Sequence, residues 1–273
     1  MVHLPLRSLV AALTALVALS TLPATAQVSN CQAIADAFPQ ARVIRVANET
    51  PRADYAVEIR YIGHSTFRIT APDGTVVVTD YAGSAGAGPR PDVATMNRAH
   101  TSHFTNFPDP DIPHVLKGWG ENGEPAVHFL QVGEVLVRNV TTDIRSYMGV
   151  EPDANSIFIY EIQGLCIGHL GHLHQPLSDG QVAQIGRLDV VFVPVDGSYT
   201  MDQSAMMEVV SRLRASIAIP MHWFGQSTLA QFVSRTRADG LAIAMPSDPL
   251  LRVSLNTLPD QPTFIVLAPS FGE

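Results

Sequence analysis

The stretch Gly168-His169-Leu170-Gly171-His172-Leu173-His174-Gln175 decides how this chain is read. It follows an apolar run, Ser156–Ile162, a Gln163-Gly164 turn and a second run, Leu165–Ile167, which together predict two buried strands. Three histidines and two glycines then leave the end of the second strand. Glycine lets the backbone turn closely, and strand ends of layered α/β proteins are where ligands sit. One histidine there reads as a turn residue facing water. Three of them, with further histidine segments elsewhere, read as a metal site, because imidazole is the commonest metal-ligating side chain.

Working outward, the C-terminal side alternates strands and helices. A helix is expected over Ser178–Arg187, capped by Ser178 or Asp179, then a strand Asp189–Val195 and the loop Asp196-Gly197-Ser198. A helix over Met201–Arg214, a strand Ile217–Pro220 ending in Met221-His222-Trp223, and a helix over Ser227–Arg237 come next. Strands at Leu241–Met245, Leu251–Leu255 and Phe264–Leu267 follow. The N-terminal side is β-rich: Tyr55–Ile62, a Gly63-His64-Ser65 turn, Thr66–Thr70, a Pro72-Asp73-Gly74 hairpin turn and Thr75–Asp80. Gly83–Pro91 and Pro108–Pro125 read as irregular connections, and Val127–Thr142 as two strands split at Gly133-Glu134. Two half-domains, each a sheet covered by helices, fit this order. Three histidine segments fall at strand ends: Arg98-Ala99-His100-Thr101-Ser102-His103, Gly171-His172 and His222. Delivery of sequence-distant imidazoles by strand-end loops is what a zinc site requires.

Composition narrows the partners. The net charge is −8 and no basic cluster occurs, which argues against nucleic acid and anionic membrane surfaces. Residues 1–26 combine a positive start, an apolar run Leu9–Leu19 and Ala24-Thr25-Ala26, the pattern of a secretory signal peptide rather than a membrane anchor. Residues 27–54 are expected to be a lead-in, 55–273 a single domain, and the location periplasmic or secreted. No membrane span is expected after cleavage. Cys31 and Cys166 either pair in an oxidising compartment or leave Cys166 a buried free thiol. No G-x-S-x-G elbow or P-loop is present.

Tyr61–Ile69, Val76–Asp80, His169–His172, Asp189–Gly197 and Ile219–His222, taken in order, resemble the metallo-β-lactamase superfamily, and within it the branch of ascorbate-6-phosphate lactonase. The resemblance implies an α/β fold, the four-layer αββα sandwich, with its site along the edge where two sheets meet. It also implies hydrolysis of esters, lactones, amides or phosphoesters by a metal-bound hydroxide, commonly with two metal ions. This chain departs from the family's H-x-H-x-D-H signature: Arg98 stands at its first histidine and Ser102 at its aspartate. Arginine stays protonated and cannot ligate. The family's mid-chain histidine should fall near Val140–Asp143, which holds none, and its bridging aspartate matches His172.

The expectation is therefore one divalent ion, zinc, held by His103, His172 and His222 with His100 as a fourth or alternate ligand, in a metal-dependent hydrolase acting on a small molecule; three imidazoles and an open position make the site catalytic, four close it. Asp80 matches a residue that orients a ligand histidine. His64 is expected as an acid–base or substrate contact, His169 and His174 as flanking groups, and Arg98 as the contact to an anionic substrate group. The alternative is a non-catalytic protein of the same fold that binds a small anion with Arg98 in place of the metal's charge. Oligomeric state is open.

Overall fold

Apolar residues in the second half of the chain come in unbroken runs, the mark of strands covered on both faces. Ala154–Ile162 is buried throughout, and its alternation sends Ile157 and Ile159 into one core and Phe158, Tyr160 and Ile162 into another. The computed structural model describes residues 28–32, 56–121, 124–146 and 148–270. The expected leader (1–26) and most of the lead-in (27–54) lie outside the described residues.

Fourteen strands form two sheets among the described residues. The six-stranded sheet contains β1 (Val57–Gly63), β2 (Thr66–Thr70), β3 (Val76–Val78), β4 (Val93–Met96), β5 (His114–Lys117) and β13 (Leu250–Val253), in the order β13-β1-β2-β3-β4-β5. The eight-stranded sheet contains β6 (Phe129–Val132), β7 (Val135–Ser146), β8 (Gly149–Ile162), β9 (Leu165–His169), β10 (Val190–Pro194), β11 (Ile217–Met221), β12 (Ala242–Ala244) and β14 (Thr263–Ile265). Its order is β12-β14-β11-β10-β9-β8-β7-β6. Strands β9, β10, β11 and β14 run parallel, as do β3, β4 and β5.

The inner faces of the two sheets meet in one core, where Phe67 stacks on Phe192 with ring centroids 4.0 Å apart. The outer face of the larger sheet packs against α1 (Asp179–Ile185), α2 (Gln203–Leu213) and α3 (Gln226–Ala238). Ser178 caps α1 in a capping box with Gln181, and Asp202 caps α2. The expected α/β sandwich is thus present. Over the outer face of the smaller sheet, the described residues supply irregular segments rather than helices: Ala85, Phe104 and Trp119 cover Val78, Ala94 and Met96.

Two strands depart from the expected pattern. Strand β4 is four residues long, and β5 lies inside Pro108–Pro125, where prolines suggest only a connection. Parallel pairing with β4, continued by the Gly118 N–H donating to Met96 O (2.7 Å), makes β5 a strand at the sheet edge. The β7–β8 hairpin also extends well past Thr142 and Ser156, to Ser146 and Gly149.

Cys31 and Cys166 are joined in a disulfide between the N-terminal segment and β9. The same segment is held through Glu161, whose carboxylate accepts from Ser29 Oγ, Asn30 N and Arg138 Nε. The bond closes a separation of 135 residues. A cross-link of that span constrains the unfolded chain strongly, so Cys31→Ser/Cys166→Ser is expected to lose about 2–5 kcal/mol. Urea unfolding of the two proteins measures it, and equal midpoints would show that the bond adds nothing.

Candidate metal centre

The C-terminal ends of the parallel strands in both sheets point to one edge of the sandwich, and the histidines collect there. His64 occupies the β1–β2 turn, His100 and His103 the loop after β4, His169 the end of β9, His172 and His174 the loop beyond it, and His222 the residue after β11. Backbone hydrogen bonds stitch these loops together. The His222 N–H donates to His64 O (2.7 Å), and the Tyr61 hydroxyl donates to the same oxygen (2.8 Å). His64, Asp80 and His222 all have positive φ, at 53°, 42° and 60°. Non-glycine residues held in that region carry strain that clusters at functional sites. Gly171 also has positive φ, and a Cβ there would lie 2.3 Å from Asn155 Oδ1 and 2.6 Å from Asn97 Nδ2. Only glycine lets the loop bearing His172 come so close.

Each imidazole is oriented by what holds its far nitrogen. His103 Nδ1 donates to Asp80 Oδ2 (2.5 Å), with Ser65 Oγ at 3.1 Å. Asp80 is fixed in turn by Asn97 Nδ2 (2.9 Å), and Asn97 accepts from the Ser156 N–H across the two sheets (2.7 Å). His222 Nδ1 donates to Asp196 Oδ1 (3.0 Å). An ionised carboxylate only accepts, so both Nδ1 atoms carry the proton and both Nε2 atoms present lone pairs. Those two Nε2 atoms lie 3.0 Å apart. Two lone pairs facing each other at that distance repel unless a metal ion or a proton lies between them. The edge of a tetrahedron with zinc–nitrogen bonds of 2.0–2.1 Å is about 3.3 Å, close to this separation.

A second line of hydrogen bonds fixes the other tautomers. His174 Nδ1 accepts from Arg145 N (3.2 Å) and Nε (3.3 Å), so its Nε2 carries the proton. That proton goes to His172 Nδ1 (2.6 Å), which leaves His172 Nε2 protonated and donating to His100 Nε2 (3.2 Å). His100 Nδ1 pairs with Ser102 Oγ (2.6 Å). His64 Nε2 is buried with no hydrogen-bond partner. Potential ligand atoms of His64, His100, His103 and His222 all lie within 4.8 Å of one another.

Five imidazoles, those of His64, His100, His103, His172 and His174, are pushed towards the neutral form. Burial, then neighbouring histidines, pushes His64 down to about 3 and His100 down to about 4. His174 falls to about 4 through burial and the Arg145 charge, and His172 lies far below the ordinary range for burial above all. In His103, burial outweighs the Asp80 carboxylate and the pKa is again lowered. Burial opposes ionisation of Asp80 and Asp196, but both carboxyls are held low. His169, His103 and Asn97 do this for Asp80; His222, Thr200 and the Ser198 N–H do it for Asp196.

The sequence-predicted residues assemble unevenly. His64, His100, His103, His172 and His222 share one cluster, with His174 behind His172. Asp80 contacts His103, and Ser102 contacts His100. His169 turns away: its Nε2 donates to Ser65 O (2.8 Å) and its Nδ1 accepts from the Gly171 N–H (3.0 Å). Arg98 is about half exposed, and its guanidinium lies 2.8 Å from Glu151 Oε1. Sequence reasoning gave no role to Asp196, Asn97 or Arg145. The Asp-Gly-Ser turn after a buried strand was a signal for Asp196; the other two have none in the sequence.

A two-sheet sandwich with a histidine cluster at its edge defines the class, and the beta-lactamase superfamily domain model matches residues 58–222, more than half of the chain. The chain belongs to that superfamily. The UPF0173 metal-dependent hydrolase of Anaeromyxobacter dehalogenans is 25% identical over 206 residues, covering 61% of this chain and 74% of its own. That of Symbiobacterium thermophilum is 24% identical over 215 residues, covering 67% and 93%. These relatives are named metal-dependent hydrolases, not ascorbate-6-phosphate lactonases. A Thermotoga maritima structure assigned to the Zn-dependent hydrolases of the metallo-beta-lactamase superfamily shares 25% identity. Its TM-score is 0.55, covering 77% of this chain and 98% of that one.

The depressed histidines fix the sign of a pH effect. Between about pH 6.5 and 4 the unfolded chain takes up protons that the folded His64, His100 and His174 refuse. Stability of the metal-free protein is therefore full above pH 6.5 and lost as pH falls towards 4. Thermal melts of chelator-treated protein from pH 7.5 to 4.5 should show a falling Tm. A flat or rising Tm would contradict the neutral cluster.

Proposed function

We propose that this protein is a metal-dependent hydrolase that uses one divalent ion, zinc, to cleave an ester, lactone, amide or phosphoester of a small molecule. The observation that carries the reading is the 3.0 Å approach of the His103 and His222 Nε2 lone pairs, each fixed inward by a carboxylate on its Nδ1. His103 and His222 would be two of the three protein ligands that leave a tetrahedral position for water, and His64, whose buried Nε2 lacks any other partner, the third, with His100 as its alternate. His64 thus takes the place first expected for His172. When bound, the ion would supply Lewis acidity, polarising the scissile group and bringing a coordinated water to a pKa of about 7.

The chain's own groups do the rest. Asp80 and Asp196 orient the ligand rings, as carboxylates behind metal-bound histidines do. His172, neutral because it is buried, holds a proton at Nε2 that faces His100 Nε2 inside the cluster and would turn to negative charge developing on the substrate. A second ion lacks its ligands. Arg98 cannot coordinate, and at the expected mid-chain position Thr142 accepts from Asn155 Nδ2 (2.8 Å) and Asp143 from the Asp153 N–H (3.0 Å). The anion-binding alternative needs a free Arg98, and Glu151 pairs with it.

We also propose a periplasmic or secreted location. The Cys31–Cys166 disulfide supports it, because such bonds persist in oxidising compartments. Expressed with its own leader in a Gram-negative host, the protein should be recovered from the periplasm with Gln27 as N-terminus. An intact Met1 on cytoplasmic protein would oppose this.

Elemental analysis of untagged protein tests the metal. About one equivalent of zinc is expected, lost in His222→Ala and weakened in His64→Ala, but kept in His172→Ala. Asp196→Asn should lower zinc affinity roughly 10- to 100-fold. No bound metal after reconstitution would overturn the hydrolase reading, and two equivalents would overturn the single-ion reading.

A further inference from the structure

The rim of the histidine cluster is aromatic. Tyr199 and Phe224 are 62% and 57% exposed. Yet the Phe224 ring lies 5.1 Å from that of His222 and 5.6 Å from that of His64, and the Tyr199 ring is 5.0 Å from Phe224 at an interplanar angle of 58°. The site's own constraints put both rings there. Positive φ at His222 turns the chain as it leaves β11. Trp223 then packs on Tyr61, with ring centroids 5.2 Å apart, and Phe224 faces outward. Tyr199 rides on the loop after β10. Asp196 gathers that loop by accepting from the N–H groups of Ser198 (2.9 Å), Tyr199 (2.6 Å) and Thr200 (3.1 Å) while holding His222. One carboxylate therefore sets the distance between the cluster and the aromatic pair.

The cations at the same rim are engaged. Arg98 is paired with Glu151, and Arg145 donates to His174 and, through Nη2, to Thr200 O (2.9 Å). The residues beyond Arg145 along the β7–β8 hairpin add further apolar surface, with Met148 at 97% and Val150 at 65% exposure. Large exposed apolar groups beside a few convergent polar atoms mark a ligand site, where aromatic faces cover an apolar group and the polar atoms act on the bond next to it.

We propose that Tyr199 and Phe224 form a subsite for an uncharged aryl or alkyl substituent next to the scissile bond. The substrate class is then a neutral, hydrophobic ester, lactone or amide rather than an anion. The choice of scissile bond rests on the hydrolase reading; the subsite rests on the aromatic geometry. The two rings meet at an angle and leave open faces, so a phenyl ring or short alkyl chain lies against them in the offset or edge-on arrangements that aromatic groups prefer.

The test compares 3-phenylpropionamide with propionamide, measured by ligand-observed NMR titration on the protein as purified and after chelation. The phenyl compound should bind about tenfold more tightly in both forms. Phe224→Ala and Tyr199→Ala, changes at exposed positions, should remove that preference without altering zinc content. Equal affinity of the two amides, no binding of the phenyl compound, or a preference that survives both substitutions would overturn the subsite. Hydrolysis of p-nitrophenyl butyrate and acetate separates the two readings. No turnover, with the phenyl preference intact, removes the reaction and leaves the subsite. Turnover with equal kcat/KM for both esters, and no phenyl preference, removes the subsite and leaves the reaction.

Discussion

Everything at the sheet edge depends on one electrostatic constraint: two imidazole lone pairs, on His103 and His222, are forced to within 3.0 Å of each other. Neither ring can relieve the repulsion by changing tautomer, because Asp80 and Asp196 each claim the proton on Nδ1. Neither can rotate away, because both are fully buried. A protein that builds such an arrangement pays for it in stability unless a cation completes it. The fold supplies the rigidity: the two rings sit on loops from different sheets, and the His222 N–H to His64 O bond ties the His222 loop to the β1–β2 turn of the smaller sheet.

Asp196 connects this constraint to the surface. Its Oδ1 serves His222 and the Thr200 hydroxyl, while Oδ2 accepts from three consecutive backbone N–H groups. A carboxylate with that many donors stays ionised, and an ionised partner is what fixes the tautomer of His222. The same donors shape the loop that carries Tyr199. Coupling of the rim to the cluster is thus local and physical, running through one side chain.

Much of the fold was legible in the sequence because the central strands are apolar on both faces. Ser156–Ile162, Asp189–Val195 and Ile217–Pro220 could hardly be anything but interior strands, and β2 occupies Thr66–Thr70 as expected. Strands β4 and β5 were hidden because they are short, and because edge pairing rather than composition makes β5 a strand. The histidines that gather were legible as a set, since they fall at strand ends. Their division of labour was not. It depends on which nitrogen of each ring is protonated, and Arg145, far away in sequence, sets that for His174 and His172. Arg98 was expected to contact an anionic substrate group because Glu151, on the long hairpin, is brought beside it only by the folded chain.

The backbone adds a last step. Among the described residues, six non-glycine positions have positive φ, and three of them, His64, Asp80 and His222, belong to the cluster. Each such residue costs on the order of 1–3 kcal/mol. Strain of that size concentrated at one edge would not persist if the histidines were ordinary buried residues, because relaxed backbones could bury them equally well. It is offset by the cores on either side, where Phe67 stacks on Phe192 and helices α1 to α3 close over β9, β10 and β11. The strained loops are anchored to strands that cannot shift without opening those cores. Side-chain positions at the edge are therefore dictated by the sheets, and a ligand meets imidazoles already aimed rather than ones it must organise.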